Sequence, residues 1–492
     1  MKNKVIYIFA AALAVLSSCG DSLEDTYKDY AGDGPIRYTG KCTNITVAPG
    51  WECLRAKWTP SKDPAVKNIR ISWISENNDT ASAEVASTDT AYTIKGLSNQ
   101  NYRVLVQSVA NDGTLSLDNG VTRRPYTYEH EAVTAFTQGF NKYYLYKNHL
   151  LLFMGNWSDG IVKFDIAYTN KQEKADTLHL TKDVFAEQNV DVADVDFTKD
   201  VTLLRRGLIE GCPDTIDFQP VSLTRNFLMN SDFKKELRQH YGLGNDDVEN
   251  FTASAQTVGV DYDLYSLEDL LYFPNLKTVD LGARRYMLTS HIQASTVTEL
   301  KRSLWVINKL HEIGGVEVNM YANAYLGASA PSFVKKHDAA NVPVSTFYST
   351  KGWNITTSED DSNNSELKNL IDGSASTGWM SWPSDNGART FDLVINMKAT
   401  KTIHGVAIEQ SQNSDAKNFL PEDVSVEYAT ADAPDTWHYL NGVDDYTLGG
   451  AQGETTIVKA ATAVNAQYLR ITVKERTYNS ITRVALAGIK VY

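Results

Sequence analysis

Short runs of alternating apolar and polar residues, cut by turn formers, recur through most of this chain and point to stacked sheets. Asn44 to Ala48, Leu54 to Trp58, Asn68 to Ile74, Ala91 to Ile94 and Tyr102 to Val109 each alternate, and Gly50, Pro60, Gly96, Asn111-Asp112-Gly113 and Gly120 interrupt them. Successive side chains of a strand point to opposite faces, so each run has one face to bury and one to leave wet. This spacing predicts a seven-strand β-sandwich over residues 36–126, with Trp58 in its core.

The layout recurs further on. Leu150 to Trp157, Ile161 to Tyr168, Asn189 to Val195 and Val201 to Leu208 echo the first set, including a strand that ends in Trp, and predict a second β-sandwich over 127–222. From 223 to 342 the texture changes. Phe233 to Tyr241 is helical and stops at Gly242, and Leu264, Leu267, Leu270 and Leu271 make a helical face. Val297 to Ile313 places Leu300, Leu304, Ile307, Leu310 and Ile313 at helical spacing before Gly314-Gly315 and a strand from Val316 to Met320. This helix–turn–strand alternation resembles leucine-rich repeats, so 223–342 is expected to be a small α/β leucine-rich-like region packed on a neighbouring sandwich. His291, His311 and His337 have no metal-ligand spacing.

The first residues read as a leader. Lys2 and Lys4 precede an apolar run from Val5 to Leu16, and Leu16-Ser17-Ser18 places small residues before Cys19. That apolar run is too short to span a bilayer as a mature helix. Leu16-Ser17-Ser18-Cys19 resembles a lipobox, which implies a signal peptide over 1–18, lipidation of Cys19 and a lipidated tether over 19–35. The acidic stretch Gly20-Asp21-Ser22-Leu23-Glu24-Asp25 resembles the signal that sends Bacteroidetes lipoproteins to the outer face of the outer membrane. Tyr27-Lys28-Asp29-Tyr30, Gly34-Pro35-Ile36, Pro49-Gly50 and the strand ending in Trp58 are similar to the fibronectin-type domain of unknown function that opens many such proteins. Three cysteines, Cys42, Cys53 and Cys212, remain after Cys19, an odd set that makes no disulfide framework; a Cys42–Cys53 pair would flank the Pro49-Gly50 turn in poor register.

Residues 345–492 return to strands. Gly352-Trp353-Asn354-Ile355-Thr356, then Glu366 to Gly373, Thr377-Gly378-Trp379 and Phe391-Asp392-Leu393 are followed by Ile403 to Ile408, Pro421 to Tyr428, Trp437, Tyr468-Leu469-Arg470-Ile471 and Leu486 to Tyr492. That order resembles the discoidin domain, also called the coagulation factor type C or galactose-binding-like domain, a jelly-roll β-sandwich. The fold class expected overall is mainly β and multidomain: tandem fibronectin-like sandwiches, the α/β region and a C-terminal jelly roll. The resemblance implies that Trp353, Trp379 and Tyr468 pack in the core, that Arg470 joins a structural hydrogen-bond set, and that ligand binds in loops at one end. Bacterial members are mostly carbohydrate-binding modules.

A sugar presents an apolar CH face and many hydroxyls, so its site needs an aromatic platform and planar polar partners. The loops offer Trp382; Gln410, Gln412 and Asn413; and Arg476 with Tyr478. Met380 stands where galactose-binding relatives carry His, and 410–413 contains no Arg, so galactose is not the expected ligand. For the structural calcium of relatives Asp372 and Thr377 are in place, but Gly488 stands where a Glu would close the site; no cofactor is otherwise required.

The formal charge of -13, with 60 acidic against 47 basic residues, argues against nucleic acid as partner. No Gly-x-Ser-x-Gly, His-Glu-x-x-His or phosphate loop is present, and no segment is long enough for a catalytic barrel, so an enzyme is not expected. The expected function is a glycan-binding lipoprotein of the outer membrane, exposed at the cell surface, that captures polysaccharide or oligosaccharide for an outer-membrane transporter complex. The alternative is a surface adhesin or assembly protein that binds other proteins through its discoidin domain.

Overall fold

The computed structural model describes residues 38–343, 346–374, 376–385, 387–413 and 415–492. The leader, Cys19 and the acidic tether lie outside the described residues. The chain divides into two compact units, one of Met1–Thr137, Ser158–Phe164 and Leu204–Pro220, the other of Gln138–Trp157, Asp165–Leu203 and Val221–Tyr492. No described helix is long and apolar enough to cross a membrane.

In the first unit, the strands Thr43–Gly50, Cys53–Thr59 and Ala91–Lys95 form one antiparallel sheet. Thr80–Ala86, Val66–Ser75, Tyr102–Ala110 and Gly120–Arg123 form the other, in that order. The two close on Leu54, Trp58, Ile69, Ile71, Ile94, Val104 and Val106, the inward set of each alternation. This is the expected seven-strand fibronectin-like sandwich, with Trp58 5% exposed. Tyr102 is buried, and its hydroxyl accepts the Ser98 N–H at 3.2 Å, pinning the turn before its strand. Cys42, Cys53 and Cys212 are free and buried.

In the second unit, Thr257–Val260, Thr278–Leu281, Glu317–Tyr321 and Lys335–His337 pair in parallel, in chain order. Val258, Val279 and Val318 share one register position, and Val260, Leu281 and Met320 another. All six are buried, on the one face that these alternate positions share. The helix Leu300–Gly314 supplies the cover through Val306, Ile307 and Leu310 and ends at Gly315 with φ 62°, the left-handed stop that glycine accommodates. Leu264, Leu267, Leu270 and Leu271 are buried here too, but only Glu268–Tyr272 is helical, as one 3₁₀ segment.

Residues 127–222 carry two antiparallel sheets, one of Asn189–Val192, His149–Met154 and Phe140–Tyr146 and the other of Ala175–His179, Ile161–Thr169, Thr202–Gly207 and Ile216–Asp217, which repeats the strand order of the first sandwich. The antiparallel strands Phe140–Tyr146, His149–Met154 and Asn189–Val192 bury Tyr144, Tyr146, Leu151 and Phe153 in the same core as the parallel sheet. Tyr144 meets Tyr272 at 4.8 Å and Phe153 meets Trp305 at 5.5 Å, so one face of the sheet that holds them is covered by the α/β region, while Leu150 and Leu152 are buried on its other face.

The C-terminal part is a jelly-roll sandwich built on two long strands, Thr390–Glu409 and Thr455–Lys474. Their pairing shifts register between Asn396 and Lys401 and again between Ile403 and Gly405. Asn354–Thr356 pairs with the first half of Thr390–Glu409, and Gly488–Val491 with its second half. Phe391, Leu393, Ile395, Val426, Leu469, Ile471 and Trp379 fill the core, and Trp353 packs partly buried against it. Tyr468 differs from expectation. It is half-buried, because the alternation that buries Leu469 and Ile471 turns it to the other face. Arg470 pairs with Glu427 at 2.6 Å and lies over the Trp437 ring at 4.6 Å.

Candidate functional site

Trp382 leads the loop after the Thr377–Trp379 motif, and its side chain is 57% exposed. Its backbone is firmly held. The Trp382 N–H donates to Asp361 Oδ2 at 2.9 Å, and its carbonyl accepts from the Arg389 guanidinium at 2.6 Å. The same guanidinium binds Asp361 at 2.9 Å and Glu475 at 2.7 Å, and Ser381 Oγ donates to Glu475 at 2.7 Å. Both carboxylate side chains are fully buried. The Glu475 hydrogen bond raises the Arg389 pKa above its ordinary value, partial burial opposing it. A buried ionic network thus clamps a loop whose aromatic tip is left in solvent.

Glu475 continues into the hairpin of Arg476–Tyr478 and Ile481–Arg483. Asn479 and Ser480 turn it with φ 49° and 64°, the two positive values of a type I′ turn. Tyr478 pairs with Ile481 at the tip, and the side chains are 43% and 44% exposed. Ser381 N–H donates to the Val484 carbonyl and Ser384 N–H to that of Thr482, so the Trp382 loop runs alongside this hairpin. Trp382 and Tyr478 therefore stand on neighbouring supports. Arg476 is half-buried on the same hairpin.

Tyr478 meets Phe419 edge-on at 6.2 Å, and Phe419 clusters with Ala416, Ala485 and Met380. Met380 and Ala416 also line a pocket of about 190 Å³ with Gln412, Asn413, Glu366 and Thr377. Gln412 and Asn413 are exposed there; Asn413 Oδ1 accepts the Asp415 N–H at 2.9 Å, which fixes the turn, and its carbonyl accepts from Lys417. Gln410 does not belong with them. It is 2% exposed, and neither side-chain amide atom has a hydrogen-bond partner. It ends a strand whose neighbour Ile408 is fully buried, and it follows that side chain inward.

Asp372 and Thr377, implied as calcium ligands, engage each other. Asp372 Oδ2 accepts from the Thr377 hydroxyl at 2.8 Å, and Oδ1 accepts the Ser374 N–H at 2.7 Å. Beside them a cleft of about 220 Å³ is lined by Gly373, Ser374, Glu409, Gly488 and Lys490. A Cβ at Gly488 would lie 2.6 Å from Glu409 Oε2, so the neighbouring strand's carboxylate fills the space a side chain there would take. Lys490 Nζ lies 2.5 Å from Glu409 Oε1. An ammonium thus meets one oxygen of this carboxylate, while Glu409 Oε2 is buried without a hydrogen-bond partner.

Glu236, His240 and Asp261 form a second cluster, at the end of the strand Thr257–Val260, with ligand-type atoms within 4.8 Å of one another. His240 Nδ1 lies 2.7 Å from Asp261 Oδ2, Glu236 Oε1 accepts the Asp261 N–H at 2.5 Å, and Asp261 Oδ1 accepts the Arg284 N–H at 2.8 Å. The atoms a metal would need are engaged with one another and with the backbone. Burial, then the Asp261 charge, push the Glu236 carboxyl up to about 8.

Residues 354–486 match the family described as the F5/8 type C domain. Residues 19–203 match a domain of unknown function, DUF4998. Among solved structures, the chain is similar to the family 32 carbohydrate-binding module of Clostridium perfringens NanJ in complex with galactose, at 14% identity over 30% of this chain and 97% of that one, TM-score 0.25. A Clostridium perfringens module in complex with GalNAc-β-1,3-galactose is 9% identical over 30% of this chain and 99% of that one, TM-score 0.24. Two fibronectin type-III domains of chicken tenascin are 9% identical over 37% and 97%, TM-score 0.19. No curated protein matches the chain. The C-terminal fold thus rests on the strand order described above and on the F5/8 type C match.

The network Asp361–Arg389–Glu475 was not legible from sequence. Its members lie 28 and 86 residues apart, and only the fold joins them. Glu366 enters the pocket from within a motif that read as scaffold.

Proposed function

We propose that this chain is a cell-surface glycan-binding lipoprotein whose C-terminal loops hold the sugar. The observation that carries this reading is the pair of exposed aromatics, Trp382 and Tyr478, on rigid neighbouring supports at an end of the jelly roll that also holds an amide-lined pocket. Rings held in solvent stack on the apolar face of a sugar, while Gln412, Asn413 and Glu366 meet hydroxyls. Ordering such a site before ligand arrives reduces what binding must pay in entropy. In this reading Cys19 carries the lipid, the N-terminal part stands between membrane and sugar site, and captured polysaccharide passes to an outer-membrane uptake system. The reading requires no calcium, since Lys490 meets Glu409 Oε1.

The test is an array of purified polysaccharides probed with the chain from residue 20 onward and with a Trp382→Ala/Tyr478→Ala variant. Sugar-specific binding that the variant loses supports the reading. Binding that survives the variant moves the site elsewhere, and none at millimolar ligand overturns glycan capture. Ile481 beside Tyr478 widens the apolar tip. That favours, as second reading, a protein-binding adhesin, which would show partner binding that no sugar competes away.

A further inference from the structure

A second cleft lies in the same compact unit, far along the sequence from the jelly roll. It measures about 700 Å³ and is walled by the strand Phe140–Tyr146, the turn after His149–Met154, the short helix Lys182–Ala186 and the first turn of the helix Leu300–Gly314. Its chemistry is that of a sugar site. Trp157 forms part of the wall, half-buried, and is held edge-on against the buried Phe185 at 5.0 Å and 89°. Asn141, Asn156, Gln188 and Asn189 bring four carboxamides to the same space, and among the described residues none of these side chains makes a hydrogen bond. Each offers two donors and an acceptor, which suits vicinal hydroxyls.

The charge sets this cleft apart. The chain carries -13 overall, yet the cleft holds Lys182, Lys301 and Arg302 against one acid, Glu299. Arg302 is committed to Glu268 at 2.9 Å. Lys182 and Lys301 are exposed, and neither side chain has a partner among the described residues. The helix Leu300–Gly314 begins at this cleft with Glu299 as its N-cap and no acid in its first turn, so the positive excess in the cleft comes from the two lysines. Two unneutralised ammonium groups beside an aromatic wall and free amides match a ligand that is both sugar and anion.

We propose that this cleft is a second glycan site, for an acidic oligosaccharide, whose anionic group is met by Lys182 and Lys301 and whose ring packs on Trp157. It does not depend on the C-terminal site. The anion is a uronate carboxylate or a sulfate ester, and the probes separate the two. The unlipidated chain from residue 20 onward is titrated calorimetrically with a galacturonate hexamer, a chondroitin sulfate hexasaccharide and, as neutral control, maltohexaose. Binding of the galacturonate probe identifies the carboxylate source, and binding of the sulfated probe the other. In either case affinity should fall about tenfold in Lys182→Glu/Lys301→Glu, fall with added salt, and persist in Trp382→Ala/Tyr478→Ala. Both lysines are exposed and unpaired, so the first variant should keep the thermal melt of the parent, and Asn141→Ala/Gln188→Ala gives an uncharged second reading of the same cleft. The proposal is overturned if neither acidic probe binds at millimolar concentration, if binding is unchanged in Lys182→Glu/Lys301→Glu, or if it is lost in Trp382→Ala/Tyr478→Ala.

Discussion

Gln410 is a polar side chain in an apolar place. Both its amide atoms are buried without partners, a state that costs a protein about 1–3 kcal/mol per group relative to a satisfied one. Gln410→Met keeps the length, removes the unmet groups and should raise stability by about 1 kcal/mol in urea denaturation; a loss of stability would mean that the amide is satisfied in solution. Glu236 makes the opposite kind of statement. Its carboxyl is raised from the ordinary 4.5 to about 8 by burial and by Asp261, so the folded chain holds a proton in that window which the unfolded chain releases. Stability contributed by this group is therefore full below pH 4.5 and declines as pH rises toward 8. Glu236→Gln should flatten that decline and stabilise the chain by about 1–3 kcal/mol at pH 8. Denaturation at pH 5 and pH 8 checks this, and an unchanged slope in the variant would contradict it. Neither residue could be read in advance, because a Gln at the end of a strand reads as loop and a Glu on a helix reads as solvated face.

At the scale of elements, the Trp382 loop and the Arg476–Arg483 hairpin depend on one guanidinium. Arg389→Met leaves the buried carboxylates of Asp361 and Glu475 uncompensated and should cost about 3–5 kcal/mol. It should also weaken sugar binding, since the clamp on the Trp382 backbone goes with it; a stable variant with parental affinity would show that the loop holds itself. The strand end at Glu409 carries a different expectation. With Lys490 at 2.5 Å, chelation of divalent cations should leave the melting temperature unchanged, whereas a drop of several degrees on adding chelator would reveal a bound ion. The strands of both sandwiches were legible because period-two burial is a local property, as Phe391, Leu393 and Ile395 illustrate. The partner of a strand is not local. Leu150 to Trp157 repeats the pattern of Leu54 to Trp58 and recurs in the same strand order, yet its strand is buried on both faces, with Leu151 and Phe153 in the core of the α/β region, which no local pattern announced. Likewise Trp382 and Tyr478 could be named from loop position, while the carboxylates that aim the Trp382 loop became visible only once remote segments were brought together.

Across the whole molecule, the second unit joins the α/β region to the jelly roll through a buried pair. Arg285 Nε and Nη2 donate to Glu454 at 2.6 and 2.7 Å, with both side chains at or below 6% exposure. Glu454→Gln should cost about 3 kcal/mol, and the Arg285→Met/Glu454→Gln double variant should recover most of that loss, because breaking one partner of such a pair costs more than replacing both. Additive losses would contradict the pairing. The two glycan readings also separate at this scale: stacking at Trp382 and Tyr478 tolerates salt, whereas capture at Lys182 and Lys301 does not. The most direct measurement of the central claim is therefore retention of the chain from residue 20 onward on an immobilised neutral polysaccharide in about 0.5 M salt, where exposed charges are screened. The account predicts retention that soluble oligosaccharide releases and that Trp382→Ala/Tyr478→Ala abolishes; flow-through of the parent chain on every neutral polysaccharide, or equal retention of the variant, would contradict it.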